Sequence, residues 1–342
     1  MTAPLRLRLD SAALVHNWRT LDRMSGGAAC GAAVKANGYG LGAYEVAKRL
    51  AEAGCRDFFV ATWAEAQALA PLGLQVSVLH GVRAEDMPAA LAGFARPVLN
   101  TELQIARWKE AGGGPCDVMV DTGMNRLGIS PEAVANGLTN GLTTETLMSH
   151  LACADEDVPM NEEQRVRFAA FADKTSARRM SLANSAGIGL GKGYCFDLTR
   201  PGLALYGGVP RAELAQMVLP VATPQAQILQ RRRVGSGQSV GYNATWTAAS
   251  ATEVAIINLG YADGYPRSLS NSGSATSNGL SLPLLGRVSM DLVAIDVMAA
   301  AHLQEGDWVD FDWKATVRAA SSSRSQYELL TGLGSRFDRC WQ

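Results

Sequence analysis

The sequence predicts an α/β protein: an N-terminal (β/α)8, TIM-like barrel followed by a C-terminal all-β domain. Three observations carry this prediction. From about residue 28 to 208, short apolar runs alternate with longer stretches of helical spacing, about eight times over. After about residue 222 the helical pattern stops and the remaining runs read as strands joined by turns. A chain of 342 residues is also too long for one small core and suits a large domain beside a smaller one. The expected division is 9–222 for the barrel and 223–342 for the β domain, with the N-terminal strand 1–8 joined to the latter. A doubly wound open sheet is the alternative, but no G-x-G-x-x-G follows the first strand to support it.

The elements follow in order. LRLRLD near the start alternates like a strand. CGAAVKANG (30–38) reads as the first buried strand, with GAYEVAKRLAEAG (42–54) as its helix. RDFFVAT with AEAQALAPLG, QVSVLHG with EDMPAALAGF, and RPVLN with TELQIARWKEAG repeat the unit. CDVMVDTG, TETLMSHLA, MSLANSAG and FDLTRPGLALYGG supply four more strands. NEEQRVRFAAFADKTSA (161–177) is the clearest intervening helix, with Asn161 expected as its cap. In the second region PQAQILQRRRV, EVAIINLGYADGYPR, LPLLGRVSMDLVAIDV and DWVDFDW read as strands. SLSNSGSATSNG (268–279) and AASSSRS (319–325) read as surface loops by composition.

Composition excludes several classes. A net charge of −1 gives no general attraction to nucleic acid or acidic membranes, and RRR at 231–233 reads as a solvated strand end. No run approaches the roughly 20 apolar residues of a membrane helix. MTAPLRLRLD lacks the basic and apolar regions of a secretion leader. Six cysteines without CxxC spacing read as reduced thiols of a cytoplasmic protein, and no metal-ligand spacing links them to the four histidines. Charged residues at 18% leave surface for a subunit partner, so an oligomer is expected.

In such a barrel, chemistry sits at the carboxyl ends of the strands. Those ends carry Lys35, Asn37 and Tyr39; Asp121 and Arg126; His150; Asn184 and Ser185; and Arg200 and Gly202. Lys35 leaves an apolar strand directly, so its amine must be paired, depressed in pKa or covalently modified. A desolvated lysine can form an imine, whereas a snorkelling one would not. Gly38, Gly40 and Gly42 around Tyr39 permit close backbone approach to a ligand. Ser185, Gly202 and Leu203 follow the seventh and eighth strands, where barrels commonly hold a phosphate; they could equally be turn residues. A phosphate site beside an imine-forming lysine suggests pyridoxal 5′-phosphate.

With these residues in view, the sequence strongly resembles the alanine racemases, fold-type III pyridoxal phosphate enzymes. AAVKANGYGLG (32–42), DTGMNRLG (121–128), SHLACADE (149–156), ANSAG (183–187), RPGLALYGG (200–208), VGYNATW (240–246), LGYADGYPR (259–267), GRVSMD (286–291) and YELL (327–330) follow in the family's order. The resemblance implies a homodimer that interconverts L- and D-alanine. Lys35 would hold the cofactor covalently and serve one face of the substrate, and Tyr242 of a second copy would serve the other. Tyr39, Ser185, Gly202 and Leu203 would hold the phosphate, Arg200 would face the pyridine nitrogen, and His150 would sit beside the cofactor, within a network linking Arg200 and Tyr242. Arg126 and the Met290 amide would bind the substrate carboxylate, and Tyr261 would line the entrance. Two opposed groups suit a reaction that removes a proton from one face and returns it on the other. Arginine holds its proton, so Arg200 would leave the ring nitrogen largely unprotonated and the ring a weaker electron sink.

Two positions depart from the family pattern. Met119 stands where a modified lysine often supports the carboxylate-binding arginine, and Ser335 stands where a tyrosine often helps hold the phosphate. Serine or several small amino acids are alternative substrates. A basic amino-acid decarboxylase is disfavoured by Arg200 and by the lack of a cysteine in the β-domain motifs. A non-catalytic cofactor carrier is disfavoured by residues 223–342.

Overall fold

The computed structural model describes residues 3–172 and 174–342. The chain divides into two compact units. One comprises Leu14–Leu205 and Val209–Leu219; the other comprises the N-terminal residues through Ala13, Tyr206–Gly208 and Pro220–Gln342.

In the first unit seven parallel strands pair in sequence order: Ala32–Ala33, Asp57–Val60, Gln75–Val78, Arg96–Leu99, Cys116–Met119, Thr144–Met148 and Arg179–Ser181. An eighth, Leu198–Thr199, pairs in parallel with Ala29–Cys30, which leads through Gly31 into the first. On its other side Asp197 N donates to Met180 O (3.0 Å) and Arg200 N to Ala183 O (2.9 Å), so backbone hydrogen bonds run around the whole circuit. Gly31 has to be glycine: a Cβ there would lie 2.8 Å from Asp57 O and from the Phe59 ring. The strands bury nearly every side chain, as a sheet covered on both faces must. Ala43–Ala53 shows the matching helix, with Ala43, Val46, Ala47 and Leu50 on one buried face.

The foot of the barrel is polar. Arg179 forks onto Asp57 at 3.0 and 2.7 Å, and Ser77 Oγ donates to Asp117 at 2.6 Å. Arg96 stands 3.7 Å from the fully buried Asp117. Burial raises the Asp117 pKa against the pull of Arg96 and Ser77.

The second unit holds an eight-stranded, mostly antiparallel sheet. Leu5–Leu9 pairs antiparallel with Ala222–Val234 and parallel with Asp338–Trp341, burying Leu5, Leu7 and Leu9 while Arg6 and Arg8 face outward. Thr252–Ile257 lies between Ala222–Val234 and Val293–Asp296.

Several local expectations need correction. The strand read through residue 38 stops at Ala33, and Lys35–Tyr39 forms a left-handed turn. The helix expected at 161–177 spans Pro159–Ala169 with Val158 at its cap; Asn161 lies inside it, buried, and donates to Glu156 O at 2.8 Å. Proline suits a first helical turn because its missing N–H has no partner there anyway. Of the expected continuation, residue 173 lies outside the described residues. The stretch 268–279 is not a loop throughout, because Ser274–Ser277 pairs with Leu280–Leu285 as a hairpin. Nor is 319–325, which enters helix Ala315–Ser322 with Ser322 buried; Ser325 then caps Gln326–Thr331 in a reciprocal box with Glu328. The second unit is thus not purely β. Serine-rich composition misled because tertiary burial and capping override it.

Candidate active site

Lys35 begins where the first barrel strand ends, and the next four residues turn left-handed, with φ of 53°, 54°, 62° and 53° at Ala36, Asn37, Gly38 and Tyr39. Each non-glycine residue so placed costs about 1–2 kcal/mol, so the surroundings must hold the turn. Gly40 N donates to Ala36 O and Gly42 N to Asn37 O, both at 2.9 Å. Asn37 Oδ1 accepts from Ala43 N (3.0 Å), which ties the turn to the start of the next helix. Glu65 Oε1 accepts from Ala36 N at 2.6 Å.

The turn leaves the Lys35 amine among cations. Burial lowers its pKa, Arg126 adds to this, Glu65 opposes, and Arg200 lowers it further. His150 shares the same neighbours. Burial, then Arg200, Arg126 and Lys35, push its imidazole down to about 3, so it is neutral at pH 7. Arg200 is almost wholly buried, hydrogen-bonded to Ser181 Oγ and, at 2.5 Å, to Ser149 O. Burial lowers its pKa to about 10 against the attraction of Asp117, which leaves it charged at pH 7. Below it Thr122 Oγ1 and Ser149 Oγ share a hydrogen bond (2.8 Å), and Gln164 Nε2 donates to His150 O (3.0 Å).

The His150 shift sets an expectation for stability. An unfolded histidine takes up its proton near 6.5, while the folded one resists until about 3. The unfolded state therefore binds more protons in that window, and stability falls as pH drops from 6.5 towards 3 but is untouched above. His150→Gln should flatten this acid limb in urea titrations of the cofactor-free protein, by up to about 1.4 kcal/mol per pH unit. Parallel acid limbs in the two proteins would refute it.

A second group of residues forms a cradle. Ser185 opens the short helix Ser185–Gly189, capped by Asn184, whose side chain accepts from Gly187 N. Ser185 Oγ accepts from Gly202 N (3.0 Å) and Ala204 N (3.2 Å), while Leu203 begins a 3-10 turn. A Cβ on Gly202 would lie 2.2 Å from Tyr39 Oη. Two hydroxyls and backbone amides thus converge at a site that admits no extra methyl, which fits the donor set an anionic phosphate ester requires. Gly202→Ala should fold yet weaken pyridoxal 5′-phosphate binding about tenfold or more, read by fluorescence titration of the cofactor-free protein. Unchanged affinity would remove Gly202 from the cradle.

Arg126 sits in a loop closed by Asp121 N and Ile129 O (2.9 Å), with Asp121 Oδ1 taking the amides of Gly123 and Met124. Among the described residues no hydrogen bond or ion pair holds its guanidinium. Met119, on the strand leading into this loop, is buried and offers no anion. Ser335 is exposed.

Tyr242, Tyr261 and Met290 belong to the other unit, and each is exposed, at 68%, 40% and 54%. Tyr261 N donates to Ser289 O and Ala262 N to Met290 O, both at 3.0 Å. These loops meet because Gly260 lacks a Cβ, which would lie 2.2 Å from Met290 O. Tyr242 lines a groove of about 730 Å³ together with Arg233 and Arg287.

Sequence reasoning passed over Glu65, Ser181, Thr122 and Gln164. Glu65 alone had a signal: Thr62-x-x-Glu65 is a capping box, and both of its hydrogen bonds form. The others are ordinary polar residues whose significance depends on which strand end they face.

A closed parallel barrel that presents a desolvated lysine amine, a buried arginine and a hydroxyl-and-amide cradle has the layout of an enzyme working through an amine-bound, phosphorylated cofactor. Family models for the N-terminal and C-terminal domains of alanine racemase match residues 9–210 and 221–341. The chain belongs to the alanine racemase family. An alanine racemase of Acidiphilium cryptum is 42% identical, covering 97% of each chain. One of Agrobacterium fabrum, named as biosynthetic, is 40% identical, over 98% of this chain and 93% of its own. Among solved structures, alanine racemase from Bartonella henselae with covalently bound pyridoxal phosphate superposes with a TM-score of 0.89 at 32% identity, covering 99% of each chain.

Proposed function

We propose that the protein is a pyridoxal 5′-phosphate-dependent isomerase that interconverts L- and D-alanine. The observation that carries this reading is the Lys35 amine, held uncharged more readily than an ordinary lysine and set among Arg126, Arg200 and His150. Lys35 would anchor the cofactor, with Tyr39, Ser185, Gly202 and Leu203 around its phosphate and Arg200 facing its ring nitrogen. When bound, the cofactor supplies the electron sink that makes the substrate's Cα proton removable.

The chain's own residues do the rest. Arg126, free of protein partners among the described residues, is available to a substrate carboxylate, as is the Met290 amide. Lys35 moves a proton on one face of Cα. Tyr242, two-thirds exposed on the single chain, serves the other face from a second copy, with Tyr261 at the entrance. A neutral His150 accepts or donates a hydrogen bond without placing a further cation beside Lys35. Arg200 keeps its charge and gives up no proton. The exposure of Tyr242, Tyr261 and Met290 together supports a homodimer that covers them. We take 9–222 and 223–342, the latter with strand 1–8, as the working domains, and the cytoplasm as the compartment.

Solvent-deuterium exchange tests the reading. Either enantiomer of alanine should gain label at Cα and approach an equal mixture. Retained chirality without label would exclude racemisation, and faster turnover of serine in the same assay would shift the substrate assignment.

A further inference from the structure

The left-handed turn behind Lys35 is strained, and one side chain outside it meets the residue next to the lysine. Glu65 lies on the helix after the second barrel strand, Trp63–Leu69. Its Oε1 accepts from Ala36 N at 2.6 Å, while Oε2 accepts from Ala61 N at 2.7 Å and Thr62 N at 3.2 Å. One carboxylate therefore joins the first left-handed residue to the end of the neighbouring strand. A helix cap needs only the Thr62 contacts; the Ala36 and Ala61 bonds are additional. Bonds from amides to a carboxylate are about twice as strong as neutral ones, enough to offset part of the cost of the turn.

We propose that Glu65 is a positioning residue for Lys35: its carboxylate latches the left-handed turn and keeps one negative charge beside an amine otherwise faced by the guanidinium groups of Arg126 and Arg200. Two consequences follow from the geometry. Without the latch, Ala36–Tyr39 can relax towards ordinary backbone and carry both Lys35 and the Tyr39 hydroxyl away from the cradle. Without the charge, the cations act unopposed and the amine loses its proton at lower pH. Both consequences concern the chain itself, so they hold in the cofactor-free protein. The choice of Lys35 as the amine that matters rests on the proposed function.

The test compares Glu65→Gln, Glu65→Asp and Thr62→Ala in cofactor-free protein. Pulse labelling of Lys35 with an amine-reactive reagent, read by peptide mass spectrometry against pH, reports the amine's midpoint whether or not pyridoxal phosphate binds. Borohydride trapping after mixing with pyridoxal 5′-phosphate reports the rate of covalent uptake, in which the amine condenses with the aldehyde and releases water. Glu65→Gln should lower the labelling midpoint by about half a pH unit or more, threefold in the amine-to-ammonium ratio, and slow uptake about tenfold. Glu65→Asp keeps the charge but is one methylene short, so it should hold the midpoint near wild type and still slow uptake. Thr62→Ala weakens the helix cap alone and should lower only the melting temperature. The proposal is overturned if Glu65→Gln behaves like Thr62→Ala, losing stability while midpoint and uptake rate stay put. Failure of uptake in every protein, wild type included, would instead refute the cofactor assignment.

Discussion

Replacing Lys35 with alanine is expected to abolish covalent uptake of pyridoxal 5′-phosphate and to cut alanine racemisation by more than about a thousandfold. The prediction is large because this amine would carry two tasks, anchoring the cofactor and moving a proton, and no neighbour can take over either. Arg200 holds its proton, and His150 is depressed to about 3 and stays neutral. The fold should survive. A lysine whose pKa is lowered on folding costs stability at neutral pH, so its removal relieves a penalty. The measurement is an absorbance spectrum after gel filtration with cofactor, paired with racemisation rate and thermal melt. Activity within tenfold of wild type in a folded Lys35→Ala protein would end the assignment.

Tyr242→Phe is expected to produce an asymmetric defect. Tyr242 is 68% exposed on the single chain, so loss of one hydroxyl should leave the fold of that chain intact. The proton on the face served by tyrosine loses its carrier, a step worth roughly a hundred- to ten-thousandfold. Washout of the Cα proton into heavy water should then collapse for L-alanine while D-alanine, served by Lys35, keeps exchanging. Equal losses for the two enantiomers would contradict opposed bases. No loss at all would favour a cofactor carrier over a racemase.

Lys35 was legible because its chemistry is written in residue type, whereas Tyr242 stood out only through the resemblance of VGYNATW to the alanine racemases. A lysine straight after Ala32-Ala33-Val34 and a serine and glycine after later strands stand out in any barrel reading. The strand–helix alternation was equally plain, since strands buried on both faces leave continuous apolar runs. What misled was composition used without context. Asn161 looked like a cap and lies inside its helix; the serine-rich 319–325 looked like a loop and contributes a buried helix end and a cap.

The sequence by itself determined the parallel barrel and the order of its strands, and it singled out Lys35 as the candidate reactive amine, because hydrophobic period and residue chemistry are local properties. Only the tertiary structure decided that four residues after Lys35 turn left-handed, that Glu65 reaches back to the first of them, and that burial with Arg126 and Arg200 depresses the lysine's pKa. Those are matters of which groups lie within a few ångströms across separate strands, and desolvation and Coulomb energy depend on that distance and on burial, neither of which any local run of residues encodes.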